Sequence, residues 1–175
     1  QLTPGANNGL GIRTPLDGDA AYVGMELQIL DNTSPMYAKL QPYQYHGSVY
    51  GIIPAKQGFL KPVGEWNEEE VIAEGNYIKV ILNGEVITDG DIVQATKNGT
   101  PDHKEHPGLL NKTGHIGFLG HGSPLKFRNI RIKEIIKKKN GKDVEEQHGW
   151  KGRIMPFELI QETYFQKELK SIKDK

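Results

Sequence analysis

Three groups of polar side chains in this chain carry enough chemistry to define a site. The first is Glu26-x-Gln28-x-x-Asp31, which lies in and just beyond an alternating stretch from Val23 to Leu30. Val23, Met25, Leu27 and Ile29 share one face of that stretch, and Glu26 and Gln28 share the other. Two carboxylates that flank a glycosidic bond stand about 5–5.5 Å apart for retention and about 6.5–9.5 Å apart for inversion. Alternate side chains on a strand face are about 6.8 Å apart, and a bulge would return Asp31 to the face of Glu26. The same alternation also describes a strand whose polar face simply meets solvent. The second group is His121 between Gly120 and Gly122. Glycines on both sides strip bulk from around the imidazole, as a ligand-facing acid or base requires; a tight turn with an incidental histidine has the same pattern. The third group is dispersed. Arg13 is an anion or carbonyl clamp or a plain surface arginine, and Trp66, Tyr43, Tyr45 and Tyr50 are stacking platforms for sugar rings or ordinary packing residues. Asp102-His103-Lys104-Glu105-His106-Pro107 reads as a surface loop rather than a metal site, its two histidines three apart beside a proline.

Strands and turns must position these groups. Asn8 to Thr14 alternates, with Leu10 and Ile12 opposite Gly9, Gly11 and Arg13. Tyr77 to Leu82, then Asn83-Gly84, then Glu85 to Thr88 is a two-residue hairpin, because Asn and Gly tolerate the positive φ of a type I′ turn. Gly47 to Ile53, Gly114 to Gly120 and Lys126 to Ile132 complete a set of short strands. Long loops rich in Pro and Gly join them: 31–44, 54–67 and 89–113. From Pro156 onward, Phe157, Ile160, Tyr164, Phe165, Leu169 and Ile172 fall at helical spacing and predict one amphipathic helix. The organisation expected is a β domain over 1–139 and a helical extension over 140–175.

Composition narrows the function. With 175 residues, 21 of them Gly and 10 Pro, the chain is one ordinary domain of many short strands. Its 22 basic and 22 acidic residues cancel, which argues against nucleic acid as a partner and against a basic membrane-surface protein. No cysteine is present, so thiol catalysis, Fe–S clusters and Cys–zinc sites are excluded. The apolar runs are too short for a membrane span, and the first residues lack the basic start and apolar stretch of a signal peptide. No ligand spacing demands a metal or other cofactor. Glu, Gln, Asp and His on a concave face would nevertheless suit a hard cation such as calcium.

Several segments together resemble one family. They are Asn7-Asn8-Gly9-Leu10-Gly11-Ile12-Arg13, Glu26-Leu27-Gln28-Ile29-Leu30-Asp31, Gly47-Ser48-Val49-Tyr50-Gly51, Gly64-Glu65-Trp66-Asn67, Leu82-Asn83-Gly84, and Gly117-Phe118-Leu119-Gly120-His121-Gly122 running into Phe127-Arg128-Asn129-Ile130. In that order, over about residues 5–135, they resemble the 3-keto-disaccharide hydrolase family. The resemblance implies an all-β, concanavalin A-like jelly-roll sandwich of two antiparallel sheets, here followed by the C-terminal helix. It implies a periplasmic or extracellular location and an oxidised disaccharide or glycoside as partner. It also implies a glycoside hydrolase, working by β-elimination next to the 3-ketone and then hydration. On this reading Glu26 or His121 is the base or acid and Arg13 stabilises the enolate. Gln28, Asp31 and Asn67 are ligands for the sugar, with Trp66 and Tyr50 as its walls. A non-catalytic carbohydrate-binding module of the same fold is the alternative. The chain departs from the family in lacking the strands that usually precede Asn7, and the stretch after Gly141 has no family counterpart. Compared with laminarinase-type glycosidases of the same fold (Glu-x-Asp-x-x-Glu), Gln28 replaces the central acid.

Overall fold

The computed structural model describes residues 1–135, and the chain divides into two compact units, Gln1–Lys126 and Phe127–Lys175. In the first unit the elements run β1 (Asn7–Thr14), α1 (Ala20–Val23), β2 (Met25–Leu30), β3 (Glu69–Glu74), β4 (Tyr77–Leu82), β5 (Glu85–Asp91), α2 (Ile92–Ala95) and β6 (His115–Gly120). They form two antiparallel three-stranded sheets, ordered β2-β1-β6 and β3-β4-β5. This is the expected all-β sandwich. The described part of the second unit, residues 127–135, holds no helix or strand.

Alternation determines which side chains enter the core. From the first sheet come Ile12, Met25 and Leu27; from the second, Ile78, Val80, Leu82 and Ile87. Val49, Ile52, Ile92 and Leu109 from loops and α2 complete the same cluster. Each such side chain contributes about 1.5–3 kcal/mol when fully buried. The faces turned away from this core are therefore free to carry polar groups. On β4 these are Tyr77 and Lys79, and on β2 they are Glu26 and Gln28.

The Asn83-Gly84 hairpin forms as expected, with φ of 53° and 92° at its two turn residues. Three expectations are corrected. Val23 belongs to α1, and β2 begins only at Met25, because Gly24 terminates the helical turn that Asp19 caps. The stretch Gly47–Ile53 is no regular strand; it joins β2 through a Leu27–Val49 bridge and folds back through a Val49–Ile53 bridge. Residues 126–132 form no strand either, and Asn129, at φ 54°, interrupts the extended backbone that their alternation suggested. One strand escaped the sequence reading. Glu69–Glu74 has three glutamates in six residues, and it extends because β4 offers it a full antiparallel partner. The helix expected after Pro156 lies outside the described residues.

Candidate active site

The face of the first sheet that carries Glu26 is built around glycine. In the β1–β2 ladder Gly9 lies opposite Gln28 and Gly11 opposite Glu26; in the β1–β6 ladder Gly9 faces Leu119 and Gly11 faces Gly117. The central strand thus presents no side chain on this face at positions 9 and 11, which leaves a trough between β2 and β6. The trough is already occupied from its sides. A Cβ on Gly9 would fall 2.6 Å from both Cγ and Cδ of Glu26 and closer still to Oε1. A Cβ on Gly11 would fall 3.2 Å from Leu119 Cδ2. Both glycines have ordinary extended backbone, so it is space, and not conformation, that excludes a larger residue there.

Glu26 lies flat across Gly9 and is only 5% exposed. Its Oε1 is buried and receives no hydrogen bond among the described residues. Among the described residues, its ion-pair partner when the imidazole is protonated is Nε2 of His121, at 3.8 Å. That is outside hydrogen-bond range and inside ion-pair range. His121 stands one residue past β6, on the same face as Leu119, and its side chain is 50% exposed. The Glu26 carboxylate raises the His121 pKa above its ordinary value; partial burial opposes this, and Asp19 adds a smaller push in the same direction as Glu26. A buried carboxylate oxygen without a donor is uncommon in folded proteins and costs stability. Beside a half-exposed imidazole, it is a natural place for a proton to be taken up and passed to solvent.

Gln28 shares the face and donates through Nε2 to Asn7 Oδ1 at 2.9 Å. Tyr50 lies beside Glu26 on the other edge of β2: its N–H donates to Glu26 O at 2.9 Å, and its hydroxyl accepts from Gln44 Nε2 at 2.9 Å. Beyond Tyr50 the 96–113 loop closes in, with Asp102 N–H bonded to Gly51 O. Lys104 Nζ, 2.8 Å from Tyr22 Oη, belongs to that wall. The fold therefore brings Glu26, Gln28 and His121 to one face of the first sheet, and joins Tyr50 to β2 through its backbone.

Three residues expected at the site are placed elsewhere. Asp31 does not rejoin the face of Glu26, because the β1–β2 register runs unbroken from Asn7–Leu30 to Ile12–Met25, with no bulge. Its carboxylate instead organises the turn after β2. Oδ2 accepts from Gly5 N at 2.9 Å, and Oδ1 accepts from Thr33 N at 3.0 Å and Thr33 Oγ1 at 2.6 Å. Arg13 is turned off the trough. It has a φ of 53° at a break in the β1–β6 register, and Nη1 donates to Gly75 O, in the β3–β4 turn, at 2.6 Å. Asn67 ties a loop together: Oδ1 accepts from Lys61 N at 2.9 Å and from Asn83 Nδ2 at 2.8 Å. Trp66 is half-buried in the same loop.

Two histidines are buried in structural pairs: His46, which the sequence reading passed over, and His106, which it assigned to a surface loop. His46 Nδ1 accepts from Leu30 N at 3.0 Å, so the ring hydrogen lies on Nε2, which meets Glu69 Oε2 at 2.7 Å. His46 thereby links the end of β2 to the start of β3. His106 Nε2 meets Asp102 Oδ2 at 3.0 Å, and Nδ1 meets Ala21 O at 3.1 Å, fastening the 96–113 loop to α1. The DHKEH segment is thus a fastening device, which its local sequence did not reveal because the anchoring carbonyl is 85 positions away. Among the described residues, no three His, Asp or Glu side chains are placed to hold a metal ion, and no helix is long and apolar enough to cross a membrane.

Comparison with known proteins agrees with this architecture. A curated 3-keto-disaccharide hydrolase from Bacteroides thetaiotaomicron is 33% identical over 126 residues, which are 63% of this chain and 43% of the relative. The chain thus spans less than half the length of that relative. A crystal structure from Parabacteroides distasonis, named "Putative glycosyl hydrolase", superposes with a TM-score of 0.54 at 28% identity, covering 70% of this chain and 67% of the other. A second crystal structure of that name from the same organism, at 23% identity, shares the fold with a TM-score of 0.55 over 70% of this chain and 61% of its own. The model of the 3-keto-alpha-glucoside-1,2-lyase-like domain matches residues 1–133. With its glycine-floored trough and its two antiparallel sheets, the chain belongs to that family.

Proposed function

We propose that this domain cleaves the glycosidic bond of a 3-keto-glycoside, with Glu26 and His121 as its proton-transfer pair. The observation that carries the reading is the buried Oε1 of Glu26, which receives no hydrogen bond among the described residues and lies 3.8 Å from His121 Nε2, the carboxylate arm lying over a β1 position that has no side chain of its own. The ketone at C3 acidifies the hydrogen on C2. Glu26 takes that proton, and the C–H electron pair passes into the enolate. Its return forms the C1=C2 bond and expels the glycosidic oxygen, which receives a proton from the His121 imidazolium. Water then adds at C1 while C2 regains a proton, so the sum is hydrolysis. Elimination alone is a 1,2-lyase reaction and elimination with hydration is a hydrolase reaction, so a single first step accommodates both the family description and the relative's name.

This chemistry needs a single base and a single acid rather than a carboxylate pair. That agrees with the engagement of Asp31 in its turn. Gln28, on the face of Glu26, is our candidate ligand for sugar hydroxyls, and the scheme gives no role to Arg13, whose Nη1 donates to Gly75 O. A substrate exported with its enzyme would be met in the periplasm or outside the cell, which is the location proposed.

The test is turnover of a 3-keto-glucoside by the wild-type chain, Glu26→Gln and His121→Ala. Each substitution is expected to lower turnover by about 10²-fold or more. Wild-type rates from both variants would remove the site. Saturable binding of keto or ordinary disaccharides by the wild-type chain, with no bond cleaved, would make it a carbohydrate-binding module instead.

A further inference from the structure

The displacement of Arg13 from the trough raises the question of what its guanidinium serves. β1 ends in a backbone that L-residues rarely adopt, φ 53° at Arg13, where the β1–β6 register shifts between Gly11 and Thr14. Such a conformation costs of order 1 kcal/mol and persists only where its surroundings hold it. Here they do. Asn111 Nδ2 donates to Arg13 O at 3.1 Å and to Val23 O at 2.9 Å, and Arg13 Nη1 donates to Gly75 O at 2.6 Å. The β3–β4 turn supplies that carbonyl from Gly75, at φ 58°.

The result is a cavity of about 310 Å³ lined by Arg13, Gly75, Asn76, Leu110, Asn111 and Lys112. Two of these six residues are cations and none is a carboxylate. No acidic side chain among the described residues pairs with Arg13 or Lys112. Arg13 is half-buried and, among the described residues, gives only one of its five N–H donors to a protein acceptor. Burial lowers its pKa from the ordinary value, yet a guanidinium stays charged at any physiological pH. A partly desolvated cation with free donors and no counter-ion is what an anionic ligand completes. Leu110 adds an apolar wall that is 56% exposed and covered by no other part of the described chain. The volume is at the small end for ligand sites and matches one sugar-sized ring rather than two.

We propose that this cavity is a second site, apart from the Glu26 trough, for a carboxylate-bearing monosaccharide. The carboxylate pairs with Arg13 and Lys112, hydroxyls meet the Asn76 and Asn111 amides, and the C–H face of the ring lies on Leu110. The proposal stands independently of any reaction at Glu26.

The experiment is titration of the full chain with sodium glucuronate, with glucose and inorganic phosphate as comparison probes, followed through the backbone amide NMR signals of Gly75, Asn76 and Asn111. Glucuronate is expected to shift these signals saturably, whereas glucose is not. Lys112→Gln, a change at an exposed position, is expected to weaken glucuronate at least about 10-fold, a loss of about 1.4 kcal/mol of binding free energy. Arg13→Gln should abolish binding while leaving the signals of the core residues Ile78 and Val80 in place. Equal responses to glucose and glucuronate, no saturable response at all, or saturation by phosphate without glucuronate would each overturn the assignment. None of these outcomes depends on glycoside turnover, so failure here is separable from failure at Glu26.

Discussion

Replacing Gly9 with alanine tests the trough directly, because the substitution touches no proposed catalytic atom yet displaces one. The added Cβ would lie 2.6 Å from Cγ and Cδ of Glu26. Carbon atoms rest at about 3.5–4.0 Å, so the carboxylate arm must withdraw by roughly 1 Å. Misplacement on that scale costs about 10²-fold in rate, or about 2.7 kcal/mol of transition-state stabilisation. Stability should change little. Overpacking costs about 1–3 kcal/mol, but the arm can swing, and alanine recovers roughly 0.5–1 kcal/mol of backbone entropy that glycine loses in a strand. Gly11→Ala is the internal control, since the nearest atoms to its Cβ would be those of the Leu119 side chain, Cδ2 first at 3.2 Å, and it asks a few tenths of an ångström from a leucine. The assay is kcat/KM on a 3-keto-glucoside beside urea unfolding of both variants. The expected pattern is Gly9→Ala folded and slow, Gly11→Ala folded and near wild type. A Gly9→Ala variant that is folded and fully active would refute the assignment of Glu26, whatever Glu26→Gln does.

Two further outcomes follow from the charged groups. Glu26 raises the His121 pKa, so the pair's contribution is complete below the unfolded-state value of about 6.5 and fades as pH rises through the higher folded value. An NMR titration should place the His121 midpoint above 6.5 in the wild type and lower in Glu26→Gln, with the alkaline limb of the rate profile moving alongside; an unmoved midpoint would break the coupling. For Asp31, burial alone would raise the pKa, but the Thr33 hydroxyl and the N–H groups of Gly5, Thr33 and Ser34 together hold it down. Asp31→Ala should therefore lower unfolding free energy by about 2–4 kcal/mol at neutral pH, by stranding those donors. The deficit should shrink as pH falls below about 3.9 through the native pKa, because the wild type then loses the same bonds.

The legible parts of this molecule were those governed by local periodicity. The alternation of Met25, Leu27 and Ile29 against Glu26 and Gln28 placed β2 and both its faces, and Asn83-Gly84 placed a hairpin, because each signal lies within a few residues. Chemistry set by distant partners was not legible. Arg13 alternates with Gly9 and Gly11, so its sequence position puts it on the trough. What takes it off is a carbonyl 62 positions away in the β3–β4 turn, together with an asparagine 98 positions away. Asp31 reads as a second carboxylate only if β2 bulges; Thr33 claims one oxygen from two residues away, but nothing local records that Gly5, 26 positions away, will claim the other. The strand Glu69–Glu74 is hidden for the same reason, since β4 on one side and His46 at its start make it extended.

That contrast explains why glycine, rather than any acid or base, is the most informative residue type on the face of Glu26. A lone glutamate on a strand is as consistent with solvent exposure as with chemistry, and Glu26 alone would have decided nothing. Gly9 and Gly11 differ because they occupy extended positions where glycine weakens a strand and where no positive φ requires it. Their presence needs another cause, and the positions of Glu26 and Leu119 supply one: the side chains of both neighbouring strands lie over the central strand. Laying a carboxylate flat on backbone buries it to 5% exposure and leaves Oε1 with His121 as its ion-pair partner among the described residues. The glycines thus set the depth at which Glu26 sits, and depth governs how strongly a desolvated carboxylate couples to an imidazole at 3.8 Å. On this argument a larger residue at position 9 alters the reaction by lifting Glu26 toward water as well as by moving it, so rate and the His121 midpoint should fall together in Gly9→Ala.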